Sequence, residues 1–173
     1  STGTTPAVSI SSIPSTAVCP GTTITFTATP TNGGTTPAYQ WTLNGVNAGT
    51  NSPVFASNAF VNGDLVQCTM TSNSTCASVL VATSNSINVA ISALPQPIIN
   101  AGGPTSFCQG GNVVLTASFA DAASYSWTPG GATSASITVT STGTYTVTGT
   151  NTSGCSAASS PVTVTVNPLP VVT

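Results

Sequence analysis

The chain has 173 residues, 39% of them apolar, and a formal net charge of −2 with no Lys, Arg or His. General acid–base catalysis needs a group that exchanges protons near neutral pH, and nucleic-acid binding needs cations to displace phosphate counterions. The sequence therefore points away from both, and the apolar content argues against disorder.

The chain alternates residue by residue, the period of half-buried antiparallel strands, and no stretch has helical spacing. From the N-terminus, Pro6 to Ile13 reads as an extended strand. Thr22-Thr23-Ile24-Thr25-Phe26-Thr27-Ala28 follows, with Ile24, Phe26 and Ala28 on one face. An aromatic-x-Trp strand comes next, Tyr39-Gln40-Trp41, then the alternating run around Val66, Cys68 and Met70. Turn signals separate them: Asn32-Gly33-Gly34, Asn44-Gly45 and Asn62-Gly63-Asp64. After the seam Ala93-Leu94-Pro95-Gln96-Pro97 the plan repeats. A strand from Pro97 to Ala101 leads to Cys108-Gln109-Gly110-Gly111, then Tyr125-Ser126-Trp127, the turns Pro129-Gly130-Gly131 and Ser153-Gly154, and the strands Thr144 to Thr148 and Val162 to Val166. The predicted fold is all-β, two tandem immunoglobulin-like β-sandwich domains over 1–93 and 94–167. Each Trp faces the strand that carries Cys68 or Tyr145, and Gly143-Thr144-Tyr145 resembles a tyrosine corner.

Five cysteines cannot all pair within one chain. Aligning the halves matches Cys19 with Cys108 and Cys76 with Cys155, which predicts bridges Cys19–Cys76 and Cys108–Cys155. Each would close a loop of about 50 residues and contribute on the order of 4 kcal/mol. The alternative is an antibody-like Cys19–Cys68 bridge with Cys76 free. In the preferred pairing Cys68 is a free thiol, buried opposite Trp41 as a small hydrophobe. Five cysteines on a Thr-rich chain suit an extracellular or cell-surface protein.

The segment Cys19 to Gly34 with Tyr39-Gln40-Trp41, and the second-half motifs Phe107-Cys108-Gln109-Gly110-Gly111, Tyr145-Thr146-Val147 and Ser153-Gly154-Cys155-Ser156, resemble the Ig-like/PKD-like tandem repeats of large secreted surface proteins of Bacteroidota. That resemblance covers nearly the whole chain and implies a long array of sandwiches in a secreted protein, without specifying a biochemistry.

No other motif suggests chemistry. Ser and Thr are abundant, yet nothing basic is present to activate them. Asp64 and Asp121 stand apart, each beside a turn where Asp bonds its own backbone, so no Ca²⁺ or other metal site and no cofactor is expected. Asn-Gly-Gly and Pro-Gly-Gly read as hairpin turns. Two glycosylation sequons, Asn73-Ser74-Thr75 and Asn151-Thr152-Ser153, occupy matching turns, and O-linked sugar on the Thr-rich faces is a further candidate. No apolar run approaches the ~20 residues of a membrane span, and Ser1 to Thr5 lacks the features of a signal peptide, so a secreted chain would be a mature or internal piece. Residues 168–173 echo Pro95-Gln96-Pro97-Ile98-Ile99 and are expected to be a linker or the first strand of a following repeat or neighbouring subunit. The functional expectation is a non-enzymatic repeat module of a surface fibre, its partners being copies of itself joined head to tail and covalent glycans. The alternatives are a glycan-binding adhesin module and a passive spacer of a secreted enzyme.

Overall fold

The computed structural model of the chain describes residues 3–15, 17–77 and 79–170. The chain divides into two compact units, Ser1–Ser92 and Ala93–Thr173.

Among its described residues the first unit has eight strands: β1 (Ala7–Ile13), β2 (Ile24–Thr31), β3 (Ala38–Leu43), β4 (Val46–Ala48), β5 (Val54–Ser57), β6 (Leu65–Thr71), β7 (Val81–Thr83) and β8 (Ile87–Asn88). Their faces follow the alternation: in β2, Ile24, Phe26 and Ala28 are buried while the intervening residues are not. One sheet has the order β1-β2-β5 and the other β4-β3-β6-β7, with β8 also on β6. The fourth strand thus joins the sheet of the third, because Asn44-Gly45 closes a two-residue hairpin that pairs Leu43 with Val46. Both turn residues have positive φ (53° and 79°), the geometry of the turn that matches strand twist.

The second unit repeats the plan in β9 (Ile98–Ala101), β10 (Ser106–Cys108), β11 (Val113–Ser118), β12 (Ala122–Thr128), β13 (Ser136–Val139), β14 (Gly143–Asn151), β15 (Ser156–Ala158) and β16 (Val162–Asn167). Its sheets run β13-β11-β9 and β10-β16-β14-β12, with β15 also on β14. Here β10 pairs parallel with β16, a contact that the first unit reduces to the bridge between Val18 and Ile91.

Each unit is an Ig-like β-sandwich around its own Trp. Trp41 lies opposite Cys68 and Trp127 opposite Val147, all four buried. The first core adds Phe26, Phe60 and Met70, and Phe26 meets Phe60 edge to face at 5.5 Å. The second adds Leu115, Tyr145 and Val164. Two turns differ from the sequence reading: Asn32-Gly33-Gly34 joins β2 to β3 and Pro129-Gly130-Gly131 joins β12 to β13, strands that lie in different sheets, so both are crossovers and not hairpins. Gly and Asn mark a need for positive φ, but not which strands the turn connects. Pro168, Leu169 and Pro170 lie outside any strand, and the remainder of the expected tail element, 171–173, is outside the described residues.

Candidate functional site

The positions of the thiols follow from where the chain enters and leaves each sandwich. In the first unit the N-terminal segment is held by the turn that links β6 to β7: Thr4 N–H donates to the Cys76 carbonyl at 2.8 Å. The chain leaves beside Cys19, since Val18 N–H donates to Ala90 O and Ser92 N–H to Val18 O. In the second unit the entering Ala93 carbonyl accepts from Asn151 Nδ2 at 3.0 Å, and Asn151 N–H donates to Cys155 O. The chain leaves beside Cys108, which pairs with Asn167. Each unit therefore carries one cysteine at its entry pole (Cys76, Cys155) and one at its exit pole (Cys19, Cys108).

The poles are the two ends of one strand. In the first unit β8 and the exit lie at the start of β6, where Asn88 pairs with Leu65, whereas Cys76 follows its end. At about 3.3 Å per residue β6 alone separates them by roughly 23 Å. In the second unit Gly143 at the start of β14 lies by the exit strand, and Asn151 at its end leads to Cys155, a span of about 30 Å. A disulfide needs Cα atoms within about 7 Å. The bridges expected from sequence, Cys19–Cys76 and Cys108–Cys155, are accordingly not those of the structure. Cys76 and Cys108 are exposed free thiols, and Cys19 and Cys155 are the disulfide-bonded cysteines. The alternative Cys19–Cys68 is absent as well, because Cys68 is free. Aligning two repeats shows which cysteines are equivalent, but equivalence carries no information about which end of a strand each occupies.

Cys68 is a buried free thiol on β6, facing Trp41, in the position expected for it. Burial pushes its thiol up to about 11, so it stays protonated and unreactive.

Around these poles the polar side chains are structural. Asn73, the first sequon residue, accepts the Thr36 N–H at 3.1 Å and donates to the hydroxyls of Thr35 and Thr36. Gly34 makes this possible: its φ is +86°, and a Cβ there would run into the Asn73 side chain. Asn151 accepts the N–H groups of Ser153 and Cys155 while donating to Ala93 O. The Asn151 amide thus organises the turn that carries Cys155, while the Asn73 amide ties the segment leading to Cys76 to the β2–β3 connection. Asp121 has φ 55° in the β11–β12 turn, and its carbonyl accepts the Thr152 N–H.

Four features had no clear sequence signal. Asp64, buried, accepts Val61 N–H at 2.9 Å and Asn44 Nδ2 at 2.8 Å, tying two turns together; only the bond to its own turn was foreseeable. Ser84 and Ser159 interrupt the last strand of each unit, and their hydroxyls accept the N–H of Cys68 and of Val147. Asn85 brackets Ile10, accepting its N–H and donating to its carbonyl, which fastens β1 to the opposite sheet. The two Trp indoles donate to Ser52 O and Ser134 O at corresponding places. Tyr145, as its motif suggested, donates to the Ser141 carbonyl four residues upstream at 3.1 Å.

Clefts within the units are small. One, of about 40 Å³, is lined by Ser12, Pro14, Phe26, Ile87 and their neighbours. Another, of about 250 Å³, is lined by Ala93 to Gln96, Ala120, Asp121 and Asn151. Every Trp, Tyr and Phe ring is buried or half-buried. Among the described residues no cluster of His, Cys, Asp or Glu could hold a metal ion.

No protein-family model matches the chain, and no curated protein does. Solved structures are similar in fold. The three N-terminal domains of the highly immunogenic outer capsid protein of bacteriophage RB49 align over 93% of this chain and 59% of theirs, at 19% identity and a TM-score of 0.49. The N-terminal eight Ig domains of the Down syndrome cell adhesion molecule align over 95% of this chain and 24% of theirs, at 16% identity and a TM-score of 0.47. Fibronectin(III)-like modules of Clostridium thermocellum CbhA align over 91% and 92%, at 13% identity and a TM-score of 0.39. The chain thus spans less than two thirds of each of the first two structures, and the likeness is one of tandem Ig-like or fibronectin(III)-like domains.

Proposed function

We propose that the chain is a non-enzymatic structural module of an extracellular fibre, built by joining copies head to tail. The observation that carries this reading is the polarity of each sandwich: the chain enters at one pole and leaves at the other, and each pole bears a cysteine. Such a unit has two different ends, and a contact between unlike ends grows an open filament. The surface supports association. Net charge is −2, and edge strand β7 with its approach exposes Val79, Leu80 and Val81 with no charged residue to discourage pairing. The resemblance to secreted Bacteroidota repeats and the presence of a disulfide both favour an extracellular setting.

The adhesin alternative calls for exposed aromatic rings against which sugars stack, and the buried or half-buried aromatics count against it. Electron microscopy of the native secreted material tests the fibre reading. Fibres containing the chain are expected; uniformly dispersed particles at high concentration would refute it.

A further inference from the structure

We infer that Cys108 of one copy and Cys76 of the next form an intermolecular disulfide that joins the exit pole of the first to the entry pole of the second. The inference rests on the head-to-tail reading above and supplies its chemistry. Four cysteines occupy two recurring positions, entry pole and exit pole. One occupant of each position, Cys155 at an entry pole and Cys19 at an exit pole, is disulfide-bonded. Their counterparts, Cys76 and Cys108, are free and exposed. Both positions are therefore compatible with a bridge, and the two thiols left over sit on the turn that receives the chain and beside the strand from which it departs. The Cys76 carbonyl itself accepts the Thr4 N–H in that turn, and Thr75 Oγ1 lies 3.9 Å from the Cys76 Sγ. Cys108 ends β10 next to Asn167 and is followed by the small, uncharged turn Gln109-Gly110-Gly111. Neither thiol has a charged neighbour in sequence to repel a second copy, and buried Cys68 does not compete for partners.

The step is thiol–disulfide exchange with a small disulfide such as oxidised glutathione. One protein thiolate attacks a sulfur of the small disulfide, releasing the first small thiol. The thiolate of the second copy then attacks the mixed disulfide and releases the second. Two protein thiols lose two protons and two electrons, and one small disulfide becomes two thiols. Because the joined ends are unlike, each product still exposes one Cys76 and one Cys108, and the reaction repeats.

The test uses the full chain in oxidised glutathione, read by non-reducing electrophoresis and by chymotryptic mapping, since trypsin has no site to cut. A ladder of dimers, trimers and longer species is expected, with Cys76 and Cys108 peptides joined. Cys76→Ser and Cys108→Ser should each lose every species above the dimer, and mixing the two variants should yield mixed dimers in excess of either alone. No ladder, a bridge between Cys76 and Cys108 of one chain, or like-with-like pairing that makes each single variant dimerise as readily as the mixture would overturn the inference. Microscopy separates it from the fibre reading: fibres from unoxidised chain without any ladder on oxidation would remove the disulfide and leave the fibre. A ladder whose products never extend into fibres would do the reverse.

Discussion

Asp64 is the most exposed to experiment of the structural claims, because one carboxylate holds two turns of the first sandwich. Its Oδ2 accepts Val61 N–H at 2.9 Å, its Oδ1 accepts Asn44 Nδ2 at 2.8 Å, and only 7% of the residue is accessible. Hydrogen bonds to a charged group contribute about 1.5–3 kcal/mol each, and a buried donor left without a partner costs about 1–3 kcal/mol. Asn44 is exposed and can turn to water, so the loss is less than the two bonds together. Asp64→Ala should then cost about 2–4 kcal/mol and Asp64→Asn, which keeps one acceptor, about half that. For a domain of this size 1 kcal/mol moves the melting temperature by roughly 4–8 °C, so Asp64→Ala should lower it by about 10–25 °C. Each unit has one core Trp, which makes the assay unit-specific. In a Trp127→Phe background the fluorescence of Trp41 follows the first sandwich alone, and in a Trp41→Phe background Trp127 follows the second. The loss should appear in the first signal and leave the second within about 2 °C. If Asp64→Ala melts within about 3 °C of its parent, the carboxylate does not hold the two turns together as described.

Ser84→Ala and Ser159→Ala each remove the acceptor of a buried strand N–H and should cost about 1–3 kcal/mol by chemical denaturation, each in its own unit. The pH dependence follows from Cys68, whose folded pKa is raised above the thiol's ordinary value. The neutral thiol's contribution is complete below about pH 9 and is lost as pH rises towards 11, so the Trp41-reported melt should fall over that interval. Cys68→Val, which installs the residue found at the matching position of the second unit, should remove much of that fall; an unchanged profile would place its origin elsewhere. Between about pH 5 and 8, and from low to high salt, both melts should stay flat, because no side chain present has a reference pKa there and there is no side-chain cation to form an ion pair. Native iodoacetamide labelling should modify Cys76 and Cys108 and spare Cys68, and labelling of Cys68 before unfolding would contradict its burial.

Much of the fold is legible in the chain because it is written in local periods. Ile24, Phe26 and Ala28 alternate with Thr, and a period of two admits only one buried face. The repeat of aromatic-x-Trp strands and the Tyr145 corner then specify two sandwiches. The same reading placed Cys68 in the core opposite Trp41, since parity along β6 decides which face a side chain takes. What local pattern cannot carry is the direction in which strands run past one another. Cys19 and Cys76 look like a bridge in an alignment, yet β6 holds them at opposite ends of the sandwich; only the antiparallel order of the strands reveals that. The Asn44–Asp64 and Ile10–Asn85 contacts join residues 20 and 75 positions apart, so they too exist only once the sheets have met. Parity along a strand is a property of neighbours in sequence, whereas the pole a residue occupies depends on every turn before it, which is why the sequence determined the core and the tertiary structure decided the cysteines.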